Sequence, residues 1–296
     1  MIPNFFLVGA PKAGSTSLWS YLRQHPQIFL SVHKEPRYFA VLDERLPFRG
    51  PGDNRFSIVT DFGAYLRLFD DAGPAPVVGE ASQWYLSSVS APFYIDHFCP
   101  GAKVLIVLRD PIARAYSNFA HARVEGHEPL SDFLQAVEAE EGRIAAHWSP
   151  RFRYFSKGLY FSQVKRYLDR FGRRRVHIVL HEDLAIGAAS VCRDIFGFLE
   201  VDPMYVPDVS ERLNRSGSPK SRVVDGVLSN QTLRRLAARV PGRESLRRVA
   251  KKIRQSNVQA FPPMHPSQRA ALLPRYREDV LRTQDLIGRD LSGWLR

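Results

Sequence analysis

The sequence of 296 residues predicts one three-layer α/β/α domain with a mostly parallel central sheet. Three observations carry this. Continuous apolar runs at 5–8 and 104–108, and a third at 176–180 broken only by His177, read as strands covered on both faces, as parallel strands are. Stretches of helical periodicity, not hairpin turns, lie between them. Two of the runs pass directly into small or polar residues that open a helix, the arrangement that places anion sites at the carboxyl edge of a parallel sheet. Hydrophobic residues make up 44% of the chain, enough for a sizeable core and against disorder of the whole. No internal repeat or clear linker divides the sequence, so residues 1–296 are expected as a single domain with a helical, basic part from about 224 to 296.

The first strand leads into Gly9-Ala10-Pro11-Lys12-Ala13-Gly14-Ser15-Thr16-Ser17, after which Leu18, Trp19, Tyr21 and Leu22 follow at helical spacing. Strand, small-residue loop and helix N-terminus make an anion cradle, with amides pointing inward and the helix dipole favouring negative charge. Gly9 and Gly14 have the spacing of the nucleotide-binding P-loop, but Ser15, not Lys, follows Gly14, and Lys12 precedes it. The fold is therefore P-loop-like, with the cation brought in from another point of the loop. His25-Pro26 ends the helix, and 27–32 reads as a short strand. Next comes His33-Lys34-Glu35-Pro36-Arg37-Tyr38-Phe39, too charged for a core strand and too aromatic for a plain loop. Charge pattern alone leaves it open between a surface cluster and a carboxylate, Glu35, placed to take a proton beside the cradle. Residues 43–60 form a long loop. Asp61 caps a helix over 62–69, residues 77–82 form a strand running into a turn, and Glu80 within it is open between a site role and a structural one.

The run at 103–108 ends in Arg109, where open α/β sheets bind ligands, and Asp110-Pro111 starts a helix. Ser117, on its second turn, faces back toward Arg109, and a guanidinium beside a hydroxyl suits a phosphate monoester. His121 and His127 read as surface or packing residues. A helix opens at Leu130-Ser131-Asp132 and continues to about Gly142; 143–158 is an aromatic, basic loop; a helix with Phe161, Val164, Tyr167, Leu168 and Phe171 on one face follows; and 176–184 is a strand ending in acids, read as scaffold. A further helix lies at about 188–199. Residues 212–222 form a basic loop. Between 234 and 254 stand nine Lys or Arg and one acid, open between a solvated helical face and a patch for an anionic acceptor or membrane surface. The end is one helix from Tyr276 onward and a Gly288-terminated tail.

Formal net charge is +12, which favours anionic partners without choosing among them. Cys99 and Cys192, the two cysteines, are expected as buried thiols, too few for a disulfide framework or four-cysteine zinc site. No leader segment and no membrane span is expected, and cytoplasm is the default compartment.

Pro11-Lys12-Ala13-Gly14-Ser15-Thr16-Ser17-Leu18 resembles the 5′-phosphosulfate loop of sulfotransferases that use 3′-phosphoadenosine 5′-phosphosulfate (PAPS). Lys34-Glu35-Pro36-x-x-Phe39 is similar to the base-bearing segment of the heparan-sulfate-type and related bacterial branch, and Arg109-Asp110-Pro111-x-x-Arg114-x-x-Ser117 to the family's 3′-phosphate motif. The resemblance runs from residue 4 to 295, weakest at 40–75 and 200–265. It implies the sulfotransferase fold and transfer of a sulfuryl group from PAPS to a hydroxyl, or less readily an amine, leaving adenosine 3′,5′-bisphosphate without a metal. It also implies that Lys12, Ala13, Gly14, Ser15, Thr16 and Ser17 hold the 5′-phosphosulfate, with Lys12 also catalytic. By the same resemblance Glu35 is expected as the base with His33 as runner-up, Arg109 and Ser117 as holders of the 3′-phosphate, and Lys220 and Arg222 as candidates in a closing loop. The acceptor pocket is expected from loops around 40–60, 82–95 and 143–158, for a small molecule, glycan or lipid. Nucleic acid is not expected as a partner, and peripheral membrane contact stays open. Two rivals remain at this point: a P-loop kinase, which calls for Lys directly after Gly14, and a non-enzymatic binder of anionic glycans or nucleic acid.

Overall fold

The computed structural model describes residues 1–53, 57–210, 217–219 and 258–296. Five strands form one all-parallel sheet: β1 (Phe5–Gly9), β2 (Ile28–Leu30), β3 (Val77–Ala81), β4 (Lys103–Leu108) and β5 (Val176–Leu180), in the order β2-β3-β1-β4-β5. The apolar runs dictate the middle of it. Phe5, Phe6, Leu7 and Val8 of β1 and Val104 through Leu108 of β4 are wholly buried, because helices cover both faces. From β1 the chain passes through helix α1 (Ser15–Leu22) to β2 and β3 on one side. From β4 it leaves through α5 (Pro111–Val124) and reaches β5 on the other side. The carboxyl ends of β1 and β4 therefore flank a topological switch point, where crevices open in such sheets.

The intervening helices are α2 (Phe62–Arg67), α3 (Trp84–Ser87) and α4 (Ala91–Phe98) before β4. After α5 come α6 (Phe133–Glu138), α7 (Glu140–Ala145) and α8 (Tyr160–Phe171), then α9 (His181–Leu199) and α10 (Pro266–Ile287). α1 packs with α9; α3, α4 and α10 pack with α8. Local chemistry sets several boundaries. Asp61 accepts a hydrogen bond from the Ala64 amide at the start of α2, and Asp132 caps α6 through the Gln135 amide. Asp110 caps α5 through Ile112 and Ala113, with Pro111 in the first turn, and its other oxygen pairs with Arg269 of α10 at 2.7 Å. Behind the sheet's carboxyl edge, Arg143 and Glu128 form a buried two-point ion pair at 2.7 and 2.8 Å, and Tyr154 donates to the same carboxylate.

Some expectations are corrected. β2 is three residues long, shorter than 27–32. The strand expected over 176–184 stops at Leu180, because Asp183 accepts from the Leu180 amide and opens α9 at His181; α9 then kinks at Gly187. Residues 82–95 are largely helical rather than loop, since Trp84, Tyr85, Leu86 and Ile95 bury themselves as α3 and α4. The segment at 130–142 is two short helices, and 143–158 is organised by the end of α7 and two 3-10 turns, Pro150–Phe152 and Ser156–Gly158. Buried Phe152 and Tyr154 make its aromatics packing residues. The last helix begins at Pro266, ten residues before Tyr276. Gly217–Pro219, inside the expected basic loop, pairs antiparallel with Val258–Ala260. Lys220, Arg222 and the basic stretch at 234–254 lie outside the described residues.

Candidate active site

Gly14 occupies the left-handed region with φ of 102°, which turns the loop so that the first amides of α1 face the crevice unpaired within the helix. A Cβ at Gly14 would also meet Leu184 at 3.0 Å and His181 at 3.3 Å. Across the crevice, Arg109 Nη1 donates to the Lys12 carbonyl at 2.8 Å, tying the end of β4 to the loop after β1. The loop that follows β2 is anchored over β3 by the Glu35 amide donating to Ala81 O at 2.9 Å and the Arg37 amide donating to Ser82 Oγ at 3.0 Å. Lys34 Nζ then donates to Thr16 Oγ1 at 2.7 Å, so the carboxylate-bearing loop is latched to the cradle. Glu35 pairs with Arg37 at 2.9 Å and with Lys34 at 3.7 Å.

These segments enclose a cavity of about 470 Å³. Its walls carry Lys12, Gly14, Ser15, Thr16 and Ser17 from the loop and α1, Arg109 from β4, Ser117 from α5, and Glu35. Two sites expected separately from sequence thus share one space. Ala13 is buried behind the loop, and its carbonyl accepts from His181 Nδ1 at 3.1 Å. His33 does not line the cavity; Ser31 Oγ donates to its carbonyl. Glu80 is also absent from the wall. It lies 1% exposed behind it, holding the hydroxyls of Tyr85 and Tyr65 at 2.6 and 3.2 Å, a structural role.

Among the described residues six Lys or Arg side chains line the cavity against one acid, Glu35. Burial lowers the Lys12 amine to about 8, with the neighbouring Arg109 and Lys34 pulling the same way and Glu125 and Glu35 opposing. Burial pushes the Glu80 carboxyl up to about 7 despite its three hydroxyl donors. Glu125, at the end of α5, goes the other way. Burial raises it, but the hydrogen bond and charge of His121, with Arg151 and His127, hold it down to about 2. Burial lifts both buried thiols, Cys99 and Cys192, to about 12. Lys12, Glu35 and Arg37 all adopt left-handed backbone, with φ of 64, 63 and 60°. Each such non-glycine residue costs on the order of 1 kcal/mol or more, and the three share one wall.

Sequence reasoning left out several wall residues: Arg37, Gln83, Trp84, His121, Arg151, Lys157 and His181. A signal existed for His181, which follows a strand's carboxyl end as Arg109 does, and for His121, one helical turn beyond Ser117. Arg37, Trp84, Arg151 and Lys157 come together through tertiary packing and carry no local spacing.

Among the described residues no helix is long and apolar enough to cross a membrane, and no three His, Cys, Asp or Glu side chains gather as a metal site would. Residues 3–205 match the family model described as Sulfotransferase family. Over its whole length the chain is 35% identical to a crystallised sulfotransferase from Alicyclobacillus acidocaldarius, with a TM-score of 0.80 and full coverage of both chains. It is 28% identical to the mouse bifunctional heparan sulfate N-deacetylase/N-sulfotransferase 3, covering 100% of this chain and 31% of that one. It is 26% identical to rat carbohydrate sulfotransferase 15, over 69% of this chain and 44% of that one. The chain thus spans about a third to under half of the length of these curated relatives.

Proposed function

Because the chain belongs to the sulfotransferase family, and is therefore an enzyme of sulfate transfer, we propose that its donor is PAPS and its acceptor a hydroxyl on a carbohydrate or small molecule. The single observation that carries the donor is that the cradle with Lys12 and the Arg109–Ser117 pair open into the same cavity, joined by the 2.8 Å bond from Arg109 to the Lys12 carbonyl. One nucleotide bearing anions at both ends matches two cationic pockets so coupled. The kinase reading lacks its lysine after Gly14, where Ser15 stands. The relatives named for heparan sulfate and carbohydrate sulfation support a carbohydrate acceptor over a lipid one, and the N-sulfotransferase name keeps an amine on such a carbohydrate as the second acceptor group beside a hydroxyl.

The proposed roles follow from placement. The α1 amides and the hydroxyls of Ser15, Thr16 and Ser17 hold the phosphosulfate end; Arg109 and Ser117 hold the 3′-phosphate. PAPS supplies an activated sulfuryl group. Glu35 takes the proton from the acceptor oxygen as that oxygen attacks sulfur and the sulfur–oxygen bond to the phosphate breaks. Lys12 neutralises the charge that gathers on the departing bridging oxygen, the kind of stabilisation worth roughly 3 kcal/mol. Arg37 and Lys34 keep the Glu35 carboxylate aimed. The compartment we propose for the reaction is the cytoplasm, the default for a chain that uses activated sulfate made inside cells.

Thermal unfolding with ligands tests the donor. Adenosine 3′,5′-bisphosphate at a hundred times its Kd should add about 2.7 kcal/mol of stability, whereas ATP with Mg²⁺ should add far less. A protein stabilised equally by both, or by neither at millimolar concentration, contradicts the reading.

A further inference from the structure

Lys157 is a cation of the cavity wall to which the proposed donor and base roles assign no partner. The 3-10 turn Ser156–Gly158 holds it at the cavity wall. That turn is pinned between α5 and α10: a Cβ on Gly158 would meet Pro111 and Tyr276 at 2.9 Å each, and Tyr276 Oη donates to the Phe155 carbonyl at 2.9 Å. The side chain therefore has a fixed base. Lys157 is 2% exposed, and its Nζ stands 5.6 Å from the centre of the Trp84 ring, which also carries the Arg37 guanidinium at 4.6 Å.

Among the described residues no hydrogen bond or ion pair reaches this amine. The neighbouring cations are better served. Arg37 pairs with Glu35 at 2.9 Å, Arg151 with Glu125 at 3.4 Å, and Lys34 with Thr16 and Glu35. The charged groups around Lys157 are Arg114 from α5, Arg153, Arg37 and Glu35, and the one acid among them is already engaged. Burial among arginines disfavours the charged amine: burial first, then Arg114 and Arg153, hold its pKa well below the usual lysine range. A bound anion restores the charge, and a neutral ligand leaves the amine without a partner.

We propose that Lys157 receives an anionic group of the acceptor, a carboxylate or a sulfate ester close to the hydroxyl being sulfated, and so selects acidic sugars over neutral ones. The proposal rests on the reading that Glu35 marks the acceptor side of the cavity and the cradle with Arg109 the donor side. Lys157 is a specificity residue and has no part in the bond changes.

Calorimetric titration of the full chain, presaturated with adenosine 3′,5′-bisphosphate, tests it with D-glucuronate, D-glucose 6-sulfate and D-glucose. Each titration is run near pH 8 in two buffers of different ionisation heat. At least one acidic sugar should bind tenfold or more tightly than glucose and take up a fraction of a proton as the amine regains its charge. Lys157→Met should lose that tenfold preference and the proton uptake, with the nucleotide Kd within about threefold of the parent. Acidic sugars binding no more tightly than glucose, or equally well to Lys157→Met, overturn the proposal. A variant that loses nucleotide affinity instead assigns Lys157 to the donor and also overturns it. Should Lys157→Met fail to fold, Lys157→Gln is titrated in its place and judged by the same outcomes. Failure of the parent to bind the nucleotide at all counts against the donor reading, a separate outcome.

Discussion

Glu35 and Lys12 divide the work at the reacting centre, and each makes its own prediction. Glu35→Gln keeps the shape and removes the base, so kcat should fall by about 10² to 10⁴ while the Kd of adenosine 3′,5′-bisphosphate stays within about twofold. Near-normal turnover would remove Glu35 from the mechanism. The Lys12 amine, lowered to about 8 by burial, is charged below that pH and loses its charge as pH rises through it. Affinity for the dianionic donor end should therefore weaken above about pH 8, read as a rising donor KM, and Lys12→Met should flatten that limb. Glu80 gives a stability prediction of the opposite kind. Its folded carboxyl sits near 7 against an ordinary 4.5, so the folded chain holds an extra proton between those values and stability falls as pH rises across that window. The fall is on the order of 3 kcal/mol, and Glu80→Gln should remove most of it in denaturant unfolding at pH 5 and pH 7.5. That Lys12, Glu35, Arg109 and Ser117 would face one crevice was legible because each lies in the loop or helix that directly follows a strand's carboxyl end, where chain order alone sets position. Lys157 and Trp84 were not, since what brings them to the wall is the packing of α3, α5, α8 and α10.

Among elements, the loop from β1 into α1 admits the least change. Gly14→Ala meets a left-handed φ together with Leu184 and His181 at contact distance, so donor affinity should drop tenfold or more with a smaller loss of stability. Nucleotide titration of the variant checks this. At the start of α5, Asp110 caps the helix and pairs with Arg269 on α10. Asp110→Ala should cost about 1 to 2 kcal/mol from the cap, measurable in urea unfolding. Because α5 carries Ser117 and His121, the loss should also weaken nucleotide binding. The long apolar strands, the cap at Asp61 and the helix starts at Asp110 and Asp132 were readable, since periodicity and helix-opening residues are local. The end of β5 was not. His181-Glu182-Asp183-Leu184 looks like a strand tail in sequence, and it becomes helix only because Asp183 folds back onto the Leu180 amide.

For the whole molecule, the switch between β1 and β4 gathers a basic chain's charge at one crevice. Six cations facing a single acid should steer anionic donors inward, and nucleotide association rates should fall as ionic strength rises from 50 to 500 mM. We also expect residues 1–296 to melt as one unit. α10 buries Leu272, Tyr276 and Val280 and bonds to the turn before α8, so it is part of the same core that holds β5. Removal of 258–296 should abolish cooperative melting in calorimetry; a truncated chain that melts cooperatively would make the C-terminal helix an appendage. The fold class could be read from sequence because parallel sheets declare themselves in apolar runs. The antiparallel pairing of Gly217–Pro219 with Val258–Ala260 could not, since neither segment has strand composition and their contact spans about forty intervening residues.

Left-handed backbone at positions 12, 35 and 37 has a consequence for how such a protein drifts. Glycine at any of the three would relax the chain and raise its unfolding free energy, by roughly 1 kcal/mol each. A lineage released from the need to sulfate, or a laboratory selection that rewards heat tolerance alone, should accumulate glycines there early and emerge sturdier and inert. Turnover and endurance are set against each other at these three sites, and only continued demand for product keeps a lysine, a glutamate and an arginine where glycine would rest more easily.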